Sequence, residues 1–324
     1  MKKNLRVIFF GTPDFAVPSL EALVANDINI VSVVTRPDRP KGRGRRLAAP
    51  PVKKTAESLG VAVLQPDKIR GEDFIAKMKA LEPDLFAVAA YGRILPGTLL
   101  HVPRFGTINV HPSLLPKYRG AAPIQWTLIR GETETGVTII QMDEGEDTGD
   151  ILISEKISIR THESSSGAME TVETAGTLSV KLSELGGRLL LQTIDLIREK
   201  KLKPRKQDEN IATHAPILEK KDGEIDWTKP AYDIGCLIRG LDPWPTAHTT
   251  LAEKKFKLFN PLVIPEQVMK QTPGELCRAD TDGLLIATGK DYLLIREVQR
   301  EGSKRMEVGP FLRGCRLETG LKFG

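Results

Sequence analysis

Aromatic side chains are scarce, at 5% of 324 residues, and cysteines scarcer still, at three. So few rings argue against an extended platform on which bases could stack. Cys236, Cys277 and Cys315 stand 41 and 38 residues apart, with no CxxC pair. A disulfide framework and a cysteine-rich zinc site are both disfavoured, and a reducing compartment is expected. Long apolar runs are missing too. The N-terminus offers only Val7–Phe10 before Gly11-Thr12-Pro13-Asp14, short of the ~7–15 apolar residues of a secretory core. No stretch reaches the ~18 needed to span a bilayer. The expectation is a cytoplasmic protein with no membrane partner. What is present is ordinary for a globular chain, 40% hydrophobic and 27% charged residues, and at ~100–200 residues per domain the length calls for two domains.

Acidic residues are nearly absent from one segment. From Arg36 to Lys54, eight basic residues (Arg36, Arg39, Lys41, Arg43, Arg45, Arg46, Lys53 and Lys54) face Asp38 alone. The chain's net charge is +5, so this segment carries the whole positive excess and the remainder is slightly acidic. Pro37, Pro40, Gly42, Gly44, Pro50 and Pro51 mark it as a loop rather than a charged helix face. A charge run alone is most simply a solvated loop. Here, however, arginine outnumbers lysine, and its planar fork suits phosphate. The run also follows a strand-like segment, where α/β proteins place binding loops.

Strand and helix patterns alternate through the first half. Leu5–Phe10 reads as a strand, with Thr12-Pro13 as the cap of a helix Phe15–Ala25. Ile28–Thr35 is a second strand, Pro51–Leu59 a helix, Val61–Leu64 a short strand, Gly71–Leu81 a helix and Leu85–Ala90 an apolar strand. Thr107–Val110, a helix Ala121–Arg130, strands Val137–Gln141 and Ile151–Ile159, and an amphipathic helix Leu178–Glu199 follow. The alternation predicts an α/β fold with an open, mostly parallel, Rossmann-like sheet. A polar stretch, 201–211, then reads as a linker between a domain at 1–200 and one at 212–324. In the latter, Lys255–Phe259, Gly274–Cys277, Leu284–Thr288 and Tyr292–Glu297 predict a smaller β-rich domain. Trp227 and Trp244 are expected to pack it, and Arg300, Lys304 and Arg305, interleaved with glutamates, to form a mixed solvated face.

The densest functional chemistry lies in Asn109-Val110-His111-Pro112-Ser113-Leu114-Leu115-Pro116-Lys117-Tyr118-Arg119-Gly120. Pro112 biases His111 towards an extended conformation, and residues i and i+2 of an extended chain share a face. An amide that can donate to an oxyanion and an imidazole that can move a proton thus stand together at a strand end. A second cluster, Asp143-Glu144-Gly145-Glu146-Asp147-Thr148-Gly149-Asp150, puts five acids between two strands. Alone it reads as an acidic turn, and its spacing does not match an EF-hand. One of its carboxylates could orient the imidazole, an arrangement suited to acyl transfer to an amine.

The run Asn109 to Pro116 together with Asp147-Thr148-Gly149-Asp150 resembles the core of formyltransferases that use N10-formyltetrahydrofolate. Phe10-Gly11-Thr12-Pro13-Asp14-Phe15, the basic insertion Arg36–Arg46, Ala90–Pro96, Arg119–Gln125, Ile225-Asp226-Trp227 and Asp242-Pro243-Trp244-Pro245 extend the likeness over nearly the whole chain. They point to the branch of that family that formylates methionyl-tRNA. The resemblance implies that Asn109, His111 and Asp147 are catalytic. It also implies that Ser113, Leu114, Leu115, Pro116, Ala90, Tyr91, Gly92 and Asp143 hold the folate co-substrate, and that Lys41, Arg43, Arg45 and Arg46 contact initiator Met-tRNA. An OB-like β-barrel at the carboxyl end would bind tRNA; no metal is implied, and a monomer is expected. Whether His111 relays a proton or acts as a cationic partner of the oxyanion stays open.

The rivals are formyl transfer to a small amine such as an amino sugar, a hydrolase releasing formate, and a catalytically silent tRNA-binding protein. The stretch from Ile159 to Thr177 is longer than the resemblance leads one to expect by about one ordinary loop, with a helical turn expected from Ala168 to Glu173.

Overall fold

The computed structural model describes residues 5–41, 46–163, 169–265 and 271–324. Contacts divide the chain into two units, the first made of 1–120, 135–157 and 179–214, the second of 121–134, 158–178 and 215–324.

Seven strands form the sheet of the first unit: β1 (Arg6–Gly11), β2 (Asn29–Val34), β3 (Val63–Leu64), β4 (Leu85–Ala89), β5 (Thr107–His111), β6 (Glu134–Gln141) and β7 (Ile151–Ser158). Their spatial order is β3-β2-β1-β4-β5-β6-β7. The pairs β2–β3, β1–β2, β1–β4 and β4–β5 are parallel, and β5–β6 is antiparallel. Every residue of β4 is buried, as a central parallel strand covered on both faces requires. Strand order reverses on either side of β1, which creates the switch point where open α/β sheets take up ligands.

Ile8, Phe10, Phe86, Tyr91, Met78 and Leu99 belong to one core cluster of this unit. There the Phe10 ring lies 5.0 Å from Phe86 and 5.5 Å, edge-on, from Tyr91, geometries favoured by ring quadrupoles. The long helix Ala175–Arg198 approaches the sheet closely at Gly186. A Cβ there would stand 2.6 Å from Val110 Cγ1, so glycine lets the helix lie directly against the strand that carries Asn109 and His111.

Several expectations from the sequence are revised. The cap at Thr12 does not form. A 3-10 turn, Asp14–Ala16, intervenes, and the helix runs Val17–Ala25 with Pro18 in its first turn, where the missing N–H has no partner to lose. The Thr12 hydroxyl instead donates to the Tyr91 carbonyl at 2.9 Å, joining the segments that follow β1 and β4. The basic segment is not loop throughout: Arg39–Lys41 pairs antiparallel with Arg46–Ala48, and Lys53 and Lys54 ride on the helix Pro51–Ser58. The helical turn expected at 168–173 is replaced by a strand, Met169–Thr171, paired with Thr161–Glu163; Ala168 lies outside the described residues. β-Branched Thr171 and Val172 favour extension there, and Arg160 N–H donates to the Glu173 carboxylate at 2.9 Å.

The second unit is built on an antiparallel sheet of β8 (His248–Leu251), β9 (Lys254–Ile264), β10 (Leu276–Asp280), β11 (Gly283–Ala287), β12 (Tyr292–Arg300) and β13 (Met306–Glu307). The order is β8-β9-β12-β11-β10, with β13 also on β12. Trp227, Phe256, Phe311 and Phe323 share its core. Trp227 is buried and donates to Thr249 Oγ1 at 3.0 Å. Trp244 is 52% exposed and takes no such part. Arg305, exposed on the mixed face, is paired there. It lies over the Phe259 ring at 4.0 Å and donates to Asp242 at 3.0 Å and Glu297 at 2.6 Å, which fastens β13 and β12 to the segment after the helix Ala231–Gly240. Helices Ala231–Gly240 and Val308–Gly314 were not evident in the sequence pattern.

Candidate active site

β5 ends at the switch-point edge with Asn109 and His111 on one face. Each is fixed in register by its antiparallel neighbour, Asn109 opposite Ile140 and His111 opposite Thr138. Pro112 follows, and the chain turns away at Ser113. Thr138 holds that turn with a single hydroxyl, donating to Ser113 O at 2.7 Å and accepting from Leu115 N at 3.2 Å.

Asp147 is the hub. Its Oδ2 lies 3.3 Å from His111 Nδ1 and accepts from Gly120 N at 2.9 Å, while Asn109 Nδ2 reaches its Oδ1 at 3.5 Å. His111 Nε2 meets the Tyr118 carbonyl at 2.9 Å. The ring is therefore flanked by two oxygens, one at each nitrogen. The imidazole side chain is 4% exposed and the Asp147 carboxylate 16%, so the acid faces solvent more than the ring it orients. The amide, the imidazole and the distant carboxylate expected from the sequence thus meet at one place.

Backbone conformation concentrates the same way. Asp147, Tyr118 and Ala90 all adopt positive φ, at 55°, 64° and 45°, a region that non-glycine residues occupy at a cost of ~1–3 kcal/mol when the surroundings enforce it. Gly149 is fixed for another reason: a Cβ there would run into the Gln141 carbonyl oxygen. Asp143 orders the loop from inside, its Oδ1 accepting from Gly145 N at 3.1 Å and Thr148 Oγ1 at 2.7 Å.

The other candidate residues fall into three groups. Ser113, Leu115 and Pro116 are buried, Ser113 donating to Lys117 O at 2.7 Å and Leu115 packing with Ile140 and Ile151; Leu114 is half-buried. Ala90, Tyr91 and Gly92 leave the end of β4, and burial pushes the Tyr91 phenol up from its ordinary value. Lys41 and Arg46 face each other in the two-stranded ribbon, whereas Arg43 and Arg45 lie outside the described residues. Beside Gly92, at the end of β4, lies Arg36 of the basic segment. A Cβ on Gly92 would meet Arg36 at 3.4 Å, and burial, then the charges of Arg39 and Arg93, lower the Arg36 guanidinium from its usual value. Lys53 is committed to Asp38 at 2.8 Å.

Three residues of the site escaped sequence reasoning. Arg119, 3% exposed, donates to Glu209 at 2.8 and 2.7 Å and to Gln207 at 3.1 and 2.9 Å. Hydrogen bonding to Glu209 raises the guanidinium above its ordinary value against the opposing effect of burial, and the charges of Glu209, Asp143 and Asp147 add to the rise. Arg119 stood inside the quoted motif, but Gln207 and Glu209 lie in the stretch read as a linker, and their composition gave no signal. Among the described residues no group of three or more His, Cys, Asp or Glu side chains could hold a metal ion, and no helix is long and apolar enough to cross a membrane.

The family model for formyl transferases matches residues 3–181, and that for the formyl transferase C-terminal domain matches residues 217–316. The chain belongs to the formyltransferase family. It is 52% identical over 323 residues to the methionyl-tRNA formyltransferase of Desulfotalea psychrophila, covering 99% of this chain and 97% of that one. It is 47% identical over 321 residues to the methionyl-tRNA formyltransferase of Geobacter metallireducens, with 99% of each covered. The crystal structure of HypX from Aquifex aeolicus in complex with tetrahydrofolic acid superposes with a TM-score of 0.64 at 18% identity, over 96% of this formyltransferase and 47% of that longer chain. At that identity the likeness is one of fold.

Proposed function

We propose that this formyltransferase moves the formyl group of N10-formyltetrahydrofolate to the α-amino group of the methionine on initiator tRNA, preparing it for translation initiation. The observation that carries the reading is the meeting of Asn109 and His111 on Asp147 at the ligand edge of the sheet, in a chain similar along its full length to enzymes named for that reaction. Donor chemistry at the site fits an acyl-transfer substrate, since the Asn109 amide has a long contact that it can exchange for an oxyanion.

The folate substrate supplies an activated formyl amide. The attacking amine must be neutral; an ordinary α-amino group has a pKa of ~7.7–8.0, and the neighbouring ester lowers it. As the amine nitrogen bonds to the formyl carbon, Asn109 donates to the oxygen that gains charge. The Asp147–His111 pair takes the proton the amine sheds, and a proton at His111 Nδ1 is met at once by Asp147 Oδ2. N10 accepts a proton as its bond to the formyl carbon breaks, so one N–H is lost from the amine and one gained at N10. Ser113, Leu114, Leu115, Pro116, Ala90, Tyr91, Gly92 and Asp143 hold the folate. Lys41, Arg43, Arg45 and Arg46 hold tRNA phosphates, helped by the β-rich domain at 212–324, which 201–211 joins to the catalytic domain at 1–200. The enzyme works in the cytoplasm as a monomer.

Purified protein incubated with formyl-labelled N10-formyltetrahydrofolate and charged Met-tRNA tests the reading. Label is expected on methionine. Label in free formate would replace transfer by hydrolysis, and label on an added amino sugar but not on Met-tRNA would favour the small-amine alternative.

A further inference from the structure

We propose that Gln207 is a positioning residue for formyl transfer, setting the Asp147 carboxylate against His111 by tying the backbone of the Asp147 loop to Arg119. The inference rests on the functional reading above. Asp147 holds its backbone at φ 55°, and its carboxylate bonds alone do not fix the peptide that carries it. The Gln207 side-chain amide does. Its Nε2 donates one proton to Asp147 O and the other to Gly149 O, both at 2.7 Å. Its Oε1 accepts from Arg119 Nε at 3.1 Å and Nη2 at 2.9 Å. All the hydrogen-bonding capacity of the donor end is thus spent on the acid's loop, and the acceptor end is spent on one arginine.

Arg119 is the residue on which such a tie has most leverage. The peptide groups on either side of it make the other contacts of the pair, Tyr118 O to His111 Nε2 at 2.9 Å and Gly120 N to Asp147 Oδ2 at 2.9 Å. The same segment is pinned by Thr213, whose hydroxyl accepts from Tyr118 N at 2.9 Å and whose carbonyl accepts from Arg119 N at 2.9 Å. Glu209 accepts from Nη1 and Nη2 of the same guanidinium. Gln207 therefore closes a ring that runs from the Asp147 backbone through its own amide to Arg119, and back through Gly120 to the Asp147 carboxylate. The His111–Asp147 separation of 3.3 Å is a dimension of that ring.

An amide alone offers two donors on one atom and an acceptor on the next. Gln207→Glu keeps the Arg119 contacts and turns an oxygen towards the two carbonyls; Gln207→Leu removes both sides. A misplacement on the order of 1 Å in a reacting constellation costs about a hundredfold in rate. The full-length enzyme carrying Q207E or Q207L is expected to lose about a hundredfold in kcat while KM for folate and for Met-tRNA stays within about threefold. Because Gln207 acts through the acid, Q207E combined with Asp147→Ala should be no slower than Asp147→Ala alone. Wild-type kcat in folded Q207E, a loss confined to KM, or additive losses in the double variant would each overturn the proposal. Asp147→Ala run in parallel separates the two levels: if it turns over like wild type, the catalytic reading fails, whereas a dead Asp147→Ala beside an active Q207E fails the positioning inference alone.

Discussion

Replacing Thr138 by valine keeps the side-chain shape and removes one hydroxyl, which makes it a clean probe of what holds the turn after His111. That hydroxyl sits at a fully buried residue and serves two partners, the Ser113 carbonyl at 2.7 Å and the Leu115 N–H at 3.2 Å. Valine can bond neither, and both partners belong to buried residues. Stranding a buried polar group costs ~1–3 kcal/mol, so two, with some relaxation, cost about 2–4 kcal/mol. For a unit of this size ~1 kcal/mol moves Tm by ~2–4 °C, giving a fall of roughly 4–16 °C. Thr138→Ser keeps the hydroxyl and loses one methyl, worth about 0.8 kcal/mol, a few degrees at most. Thermal unfolding by calorimetry, with kcat measured on the same samples, distinguishes them. T138V should melt well below T138S and turn over more slowly, because the freed turn carries His111. Melting of the two variants within about 2 °C of each other would refute the assignment of the turn's stability to this hydroxyl.

Asn109→Ala should lower kcat ~10²–10³-fold, the usual loss for an oxyanion donor, with both KM values retained; steady-state kinetics at wild-type rate would remove Asn109 from the mechanism. Arg43→Ala should weaken use of Met-tRNA while sparing folate. If Arg43 neutralises one duplex phosphate, the salt dependence of tRNA binding should flatten by up to ~0.9 in log–log slope, so an unchanged slope and affinity count against a phosphate contact. His248, buried with Nδ1 3.3 Å from Thr246 O, has its pKa lowered chiefly by burial, against the Thr246 hydrogen bond and with a smaller contribution from Lys255. Its neutral form is the folded one, so its contribution is complete above the ordinary value of ~6.5 and is lost as pH falls through the lowered folded value. The melting temperature of the wild type should therefore drop more between pH 8 and pH 5 than that of His248→Gln; equal drops would show that another group governs the acid limb.

The parts of the molecule legible in the sequence are those governed by short periods. β4 is a continuous apolar run and β5 places Asn109 and His111 two residues apart, so a strand period of two suffices to bring amide and imidazole together. Strand–helix alternation gives the parallel sheet and its ligand edge for the same reason. Boundaries moved where a local rule met a stronger tertiary one: Thr12 caps nothing because its hydroxyl is spent on Tyr91. The turn expected at 168–173 became a strand at Met169–Thr171 because an antiparallel partner lay six to ten residues upstream.

Polar contacts across long separations obey no such period, and these hold the site. Gln207 is 60 residues from Asp147 and 88 from Arg119, in a stretch whose lysines and proline read as a solvated connection. Nothing in its composition distinguishes an amide facing water from one that satisfies two carbonyls and an arginine. The buried arginine is the detectable half of such a device: a guanidinium that is 3% exposed must find acceptors for its donors, and the motif containing Arg119 offers no acid of its own between Leu114 and Gln125. The acceptors had to come from elsewhere in the chain, and Gln207 and Glu209 supply them. A segment that looks like a connector is thereby drawn into the scaffold of the reacting groups, so its length and the spacing of those two residues are constrained by chemistry at His111 and Asp147 rather than by the need to join two domains.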